Sequence, residues 1–312
     1  MAGISVLMAV YNVEAYVAEA LASIQSQTYT DIEIVVVDDG STDATLRIVE
    51  QMASCDSRII IVRSPRNLGL PLALNLGLGF CHAPFIAKMD GDDIARPFRL
   101  ERQLRFLEDH SDIALVGCAT SAIDERGQPI PGLGVSLKPI TQEAISRTLL
   151  LASPCSHIWL ARREVYGKLS GYREISVAED YDFLLRAITA GFRITNLPEI
   201  LMLIRTRSGN ISSRLEQRKA HYYIASLYRE RMRNVQDSFS LEGYKRAVNS
   251  SRLENGVFQL AMKCVRRGLL SHSRMLRYGL LAISALISPW QARYFFLRLR
   301  LKMALQTPGF QS

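Results

Sequence analysis

Two runs of this chain end an apolar segment in carboxylates: Ile34-Val-Val-Val-Asp38-Asp39-Gly40 and Phe85-Ile-Ala-Lys-Met-Asp90-Gly91-Asp92-Asp93. Asp90 and Asp92 have Asp-x-Asp spacing, the hard-oxygen arrangement that holds Mg2+ or Mn2+ together with phosphate oxygens. In an open α/β sheet, ligands settle beyond the carboxyl ends of the strands, so two acidic strand ends predict one shared nucleotide and metal site. A third acidic pair, Glu179-Asp180, precedes the helical pattern Phe183, Leu184, Ala187, Ile188. A carboxylate there suits a general base that takes a proton from an attacking hydroxyl. Each acidic group also fits a plainer role at the start of a helix.

Positioning such groups requires strands that alternate with helices. Apolar runs at 4–10, 32–37, 59–62 and 85–89 read as strands. Between them, Val17, Ala20, Leu21 and Ile24 form one face of a 3.6-residue period, and a second helix follows the Ser41-Thr42-Asp43 capping cluster with Leu46, Val49 and Ala53 on one side. This alternation predicts βαβ units and an α/β fold with a mostly parallel sheet. Further on, the pattern gives a helix over 97–109, a strand over 113–117, a Gly/Pro-rich surface excursion over 127–139, a strand over 157–160, a helix over 180–190 and a last strand over 200–204. From Ser212 onward it is helical, over 215–234 and 241–270.

The 312 residues are 48% apolar and 22% charged, ordinary globular material. Five scattered cysteines in no metal-type spacing read as reduced, mostly buried thiols. Charge divides the chain. Residues 214–312 carry 18 Lys and Arg against 5 Asp and Glu, a net +13, while residues 1–213 carry 20 against 25, a net −5. An acidic catalytic domain over 1–213 and a basic, mainly helical C-terminal region over 214–312 are expected. The apolar stretch 279–290 is too short to span a bilayer, which needs about 20 residues. The following Arg293-Tyr-Phe-Phe-Leu-Arg-Leu-Arg-Leu-Lys302 carries aromatics and cations suited to an anionic membrane surface. With no leader-like segment after Met1, a cytoplasmic protein, peripheral on the membrane, is expected.

Five pieces in order carry a family resemblance: Ser5-Val-Leu-Met-Ala-Val-Tyr-Asn12, the run through Asp38-Asp39-Gly-Ser-Thr-Asp43, Arg66-Asn67-Leu-Gly69, Met89-Asp-Gly-Asp-Asp93 and Val177-Ala-Glu-Asp-Tyr-Asp-Phe183. The chain resembles an inverting nucleotide-sugar glycosyltransferase of family 2 over about residues 3–213. That resemblance implies a GT-A type, Rossmann-like nucleotide-binding domain. It also implies transfer of a sugar from a nucleotide-diphosphate donor, most simply a UDP-sugar, to a hydroxyl of a glycan or lipid-linked saccharide in cell-surface polysaccharide assembly.

The resemblance also implies roles. Asp39 would accept the ring N–H of uracil, with Asp38 turned toward the fold and Ala9 and Tyr11 along the base; relatives often carry Pro or Thr where Ala9 stands. Asn67 and Gly69 would approach the donor in a turn. The metal would sit on Asp92, with Asp90 nearer the ribose or the ion's water shell. Asp180 would be the base and Glu179 its acceptor-orienting neighbour, with His157 near the acceptor. Arg205-Thr-Arg207, with Ser208, Asn210 and Ser212 after it, would close over the diphosphate, Arg207 replacing a frequent His.

Two other classes fit the residues less well. A sugar-phosphate nucleotidyltransferase wants a Gly-rich basic loop after the first strand, and Tyr11-Asn-Val-Glu-Ala15 has neither Gly nor Lys. A catalytically inactive module that docks on membrane or polyanion through the basic tail leaves the full acidic set unexplained. Nucleic acid is not an expected partner.

Overall fold

A computed structural model describes residues 2–130, 135–207, 215–271 and 273–305. The elements run β1 (Ile4–Val10), α1 (Val17–Gln25), β2 (Ile32–Asp38), α2 (Thr45–Ala53), β3 (Ile59–Arg63), α3 (Leu70–Leu78), β4 (Phe85–Asp90), β5 (Ile94–Ala95), α4 (Arg99–Asp109) and β6 (Ile113–Ile123). Then follow β7 (Val135–Ser136), α5 (Gln142–Thr148), β8 (Leu160–Arg162), α6 (Arg163–Leu169), α7 (Glu179–Thr189) and β9 (Arg193–Arg205). The C-terminal region is α8 (Leu215–Asn234), α9 (Leu241–Val248), α10 (Arg252–Leu270), α11 (Arg274–Ile287) and α12 (Pro289–Leu305).

One sheet of nine strands runs β3-β2-β1-β4-β8-β6-β9-β5, with β7 on β6. Its long ladders, β3-β2-β1-β4 and β6-β9, are parallel, and short antiparallel pairings through β8 join them. Strands covered on both faces read as continuous apolar runs, which is why β1, β2 and β4 were legible. One face packs Val17, Ala20, Leu21 and Ile24 of α1 and Leu100, Leu104 and Leu107 of α4. The other packs α3, α7 and the start of the C-terminal region: Ala220 and Ile224 of α8 and Tyr244 and Val248 of α9 lie in the same core as Trp159 and Phe183. The basic region is thus seated on the sheet domain through shared apolar burial.

Several segment boundaries differ from the sequence pattern. The strand expected at 157–160 is β8, Leu160–Arg162: the Trp159 carbonyl still accepts from the Lys88 N–H of β4 at 2.9 Å, while His157 lies ahead of the strand with its ring against Asp93. The helix expected over 241–270 is two, α9 and α10: Asn249 leaves helical geometry and Ser251 caps α10 by accepting from the Glu254 N–H. β6 and β9 are longer than expected, and their ladder carries register shifts near Cys118–Thr120 that no hydrophobic pattern reveals. All five cysteines are free, with Cys81, Cys118 and Cys155 buried. Among the described residues, no helix is long and apolar enough to cross a membrane.

Candidate active site

Strand order brings the acidic clusters together. Val10 of β1 pairs with Asp38 on one side, and Ala9 pairs with Asp90 on the other. With strands about 4.8 Å apart, the Asp38 and Asp90 ends stand roughly 10 Å from each other across β1. Ala9 lies in the floor between them and Tyr11 is exposed just beyond.

On the β2 side, Asp39 is buried and organises the turn after β3. Its carboxylate accepts from the Leu68 N–H at 2.8 Å and the Gly69 N–H at 2.9 Å. Gly69 has φ +87 and Asn67 is exposed, so Asp39, Asn67 and Gly69 form one rim. Gly40 makes that approach possible: at φ +73, a Cβ there would stand 2.7 Å from the Arg66 carbonyl carbon. Asp38 is buried, with one oxygen on the Ser41 N–H at 3.3 Å and the other without a partner. The loop 11–14 is tied to the next βα turn: Asn12 Oδ1 accepts from the Thr42 N–H at 2.8 Å, and the Val13 N–H donates to Thr45 Oγ1 at 2.8 Å.

On the β4 side the carboxylates have distinct partners. Asp90 pairs with the Lys88 ammonium at 2.9 Å. Asp93 accepts from the Arg205 N–H at 2.8 Å and faces His157 Nε2 at 3.0 Å, and that nitrogen is also 3.4 Å from Asp90. Asp92 instead pairs with Arg207 at 2.8 Å. The compact Asp/Asp/His group is therefore Asp90, Asp93 and His157, with ligand atoms all within 4.8 Å of one another. Asp92, the metal position implied by the resemblance, is held by Arg207 at its edge. Gly91 lets the turn lie against β1, since a Cβ there would meet Val10 Cγ1 at 2.7 Å.

Charge in this cluster is only partly balanced. Burial and repulsion from Asp93 and Asp90 push Asp92 up to about 6 despite Arg207. His157 is pushed up to about 9; burial favours the neutral ring, but the hydrogen bond to Asp93 and the charges of Asp90 and Asp93 outweigh it. The two carboxylates hold a proton on the imidazole, and once that proton leaves, Asp90, Asp93 and His157 offer two oxygens and one nitrogen that fit a divalent ion.

The third acidic pair opens α7. Ala178, its N-cap residue, is left-handed at φ 64, ψ 30. Asp180 accepts from the Tyr181 N–H at 2.7 Å. Burial and the neighbouring Asp180 raise Glu179 to about 7, which Lys88 partly offsets. Lys88 is fully buried; burial favours its neutral form, but its pair with Asp90 and the negative charge of Glu179 and Asp180 hold it above its usual range.

The structure thus gathers Asp39, Asn67 and Gly69 on one side of β1, and Asp90, Asp92, Asp93, His157 and Arg207 on the other, with Ala9 of β1 between them. Ser208, Asn210 and Ser212 lie outside the described residues. Two contributors, Lys88 and Tyr16, escaped the sequence pattern, and Arg205, expected over the diphosphate, is instead buried against the Asp-x-Asp turn. Lys88 had a signal: a cation inside an apolar strand, two residues before Asp90 and so on the same strand face. Arg205, almost wholly buried, donates to the Asp92 carbonyl at 2.8 Å and lies over the Tyr16 ring at 4.9 Å. Both Arg205 and Tyr16 are brought there only by the β9–β5 pairing and the β1–α1 loop.

A mostly parallel sheet in which β1 ends between two carboxylate clusters, one with Asp-x-Asp spacing, is the GT-A type arrangement that the family resemblance implies. The family model for glycosyl transferase family 2 matches residues 5–170, and the chain belongs to that family. It is 37% identical over 210 residues to the putative glycosyltransferase EpsE of Bacillus subtilis, covering 66% of this chain and 73% of that protein. To the amylovoran biosynthesis glycosyltransferase AmsE of Erwinia amylovora it is 32% identical over 241 residues, 75% of this chain and 88% of that one. Among solved structures, S. aureus TarS 1-349 in complex with UDP-GlcNAc superposes with a TM-score of 0.62 at 19% identity, over 97% of this chain and 89% of that chain. The mannosyltransferase PcManGT of Pyrobaculum calidifontis, in complex with GDP-Man and Mn2+, gives 0.58 at 17% identity, over 97% and 85%. At these identities the solved structures speak for the fold.

Proposed function

We propose that this glycosyltransferase moves one sugar from a UDP-sugar to a hydroxyl of a glycan or lipid-linked saccharide, with inversion, in cell-surface polysaccharide assembly. The carrying observation is that β1 ends between Asp38-Asp39 on one side and Asp90, paired with the buried Lys88, on the other. Asp39, whose oxygens retain acceptor capacity beside the Leu68 and Gly69 N–H groups, takes the uracil N–H. Tyr11 covers the base, and Asn67 and Gly69 close its rim. Arg207 exchanges Asp92 for the donor diphosphate. Asp90, Asp92, Asp93 and His157 would hold a divalent ion, Mn2+ or Mg2+, which would supply Lewis-acid stabilisation of the departing nucleotide when bound. Asp180 accepts the proton of the acceptor hydroxyl as its oxygen attacks the anomeric carbon from the face opposite the nucleotide, which inverts that centre. Glu179 orients the acceptor. AmsE, by name a protein of amylovoran biosynthesis, supports the polysaccharide setting, and the UDP-GlcNAc and GDP-Man complexes of the structural neighbours support a nucleotide-sugar donor.

The test is nucleotide release from UDP-, GDP- and dTDP-sugars with Mn2+, Mg2+ or chelator, for the intact chain, Asp92→Ala and Asp180→Asn. Release from a UDP-sugar that needs metal and is lost in both folded variants is expected; full activity in either variant removes its assigned role, and preference for another nucleotide removes the role of Asp39.

The basic region also supports a peripheral place on the cytoplasmic face of a membrane. Leu253, Met275, Tyr278, Leu286, Phe296 and Leu299 are exposed on α10–α12 among their many arginines, a mixture that suits an anionic lipid surface. Intact chain should sediment with anionic vesicles and Met275→Asp/Leu286→Asp should not; equal sedimentation would count against lipid contact.

A further inference from the structure

The Glu179-Asp180 pair is presented by a turn that its own helix holds only in part. Ala178 is an alanine in the left-handed region, φ 64 and ψ 30, where the Cβ crowds the backbone. As N-cap residue it offers no side-chain cap, and the ties from α7 are the Asp182 N–H to the Ala178 carbonyl at 3.1 Å and the Tyr181 N–H to Asp180 at 2.7 Å. Further support comes from the C-terminal helices. Tyr244 of α9, only 2% exposed, places its phenol oxygen 3.0 Å from the Val177 N–H that donates to it, and 3.1 Å from both the Val177 carbonyl and Ser176 Oγ. Ser176 in turn donates to Glu216 of α8 at 2.8 Å. The ring is backed edge-on by Tyr223 of α8, centroids 6.1 Å apart. A second tie runs from α7 through Asp182 and Arg173 to Asp237, in the turn between α8 and α9.

We propose that Tyr244 is a positioning residue for the Glu179-Asp180 pair: by pinning Val177 through its phenol, it holds the strained Ala178 turn and so aims both carboxylates. This rests on the proton-handling role proposed for that pair. A phenol is well suited to the task, because one oxygen both accepts from the Val177 N–H and donates to a neighbouring oxygen, fixing the peptide from two directions. The basic region is then part of the catalytic machinery as well as a docking surface.

The experiment compares full-length protein with Tyr244→Phe, which removes one oxygen and keeps the ring. Amide hydrogen exchange should accelerate in the peptide spanning 174–184 and stay unchanged in β1, β2 and β4. With the best donor from the panel, kcat should fall about 10- to 100-fold, the cost of a slightly misplaced catalytic group, while donor KM stays within about twofold. Tyr244→Phe/Ala178→Gly should recover most of that kcat, since glycine adopts the left-handed turn without steric cost. A loss that tracks only the folded fraction, with no split between kcat and KM and no recovery, overturns the proposal. So does unchanged kcat, whether or not exchange accelerates. Wild-type silence on every donor would instead be the failure of the proposed activity, and in that case exchange alone decides whether Tyr244 holds the turn.

Discussion

Replacing Lys88 by Met tests its buried pair with Asp90. The Lys88 side chain is fully buried, its Nζ pairs with Asp90 Oδ1 at 2.9 Å, and the Asp90 side chain keeps 22% exposure. Methionine preserves most of the packing beside Trp159 and deletes the charge. Removing one member of a buried pair costs about 3–5 kcal/mol when the remaining charge is fully enclosed. Asp90 retains water contact and a neighbouring His157 at 3.4 Å, which places the expected loss near the lower bound, at about 2–3 kcal/mol. For a chain of this size that corresponds to a fall in Tm of roughly 3–5 °C. Because the Lys88 ammonium is held above its ordinary 10.5, its contribution is full throughout the neutral range and is lost only when pH rises past that raised value. Asp90 is held below 3.8, so its share is present above that pH and fades as pH falls through the folded value. Urea denaturation at pH 3, 7 and 9 should therefore show a deficit that is level from 7 to 9 and smaller at 3. The same variant removes the charge that lowers Glu179, so any activity limb set by that group should move to higher pH. A loss below about 1 kcal/mol at pH 7, with an unshifted limb, would refute Lys88 as the charge that steadies Asp90 and lowers Glu179.

Three further outcomes are expected. Gly40→Ala should cost about 2–4 kcal/mol, combining a left-handed alanine with a Cβ driven into the Arg66 backbone, and should abolish the thermal shift given by UDP; wild-type UDP affinity would dissociate the 66–69 turn from donor binding. Glu179→Gln should stabilise the protein at pH 8 and leave it unchanged near pH 4. With a folded pKa of about 7 against the ordinary 4.5, the native state keeps a proton that the unfolded chain has lost, so ionising Glu179 costs stability as pH rises through that window; urea midpoints that differ equally at both pH values would contradict this. Arg207→Ala should raise donor KM about 10- to 100-fold, the value of a charge-assisted contact to phosphate, and an unchanged KM would leave Arg207 as a partner of Asp92 alone.

The chain's one-dimensional pattern determined the elements that carry the site. Four apolar runs became β1 to β4 with ends within a residue, because strands buried on both faces must be continuously apolar, and α1 buried the four residues of its periodic face. The acidic groups were legible because carboxylates at strand ends have few structural reasons to cluster. Tertiary structure alone decided how they were shared. Strand order put β1 between the two clusters. The β9–β5 pairing delivered Arg205 and Arg207 to the Asp-x-Asp turn, so Asp92 found a cation partner while Asp93 and Asp90 faced His157. Sequence assigns a carboxylate to a cluster by spacing, but its partner depends on which distant loop arrives beside it. Tyr244 is the clearest case: 66 residues beyond Ala178 in a basic helical region, it reaches the active-site turn only because α8 and α9 bury their apolar faces in the core of the sheet domain.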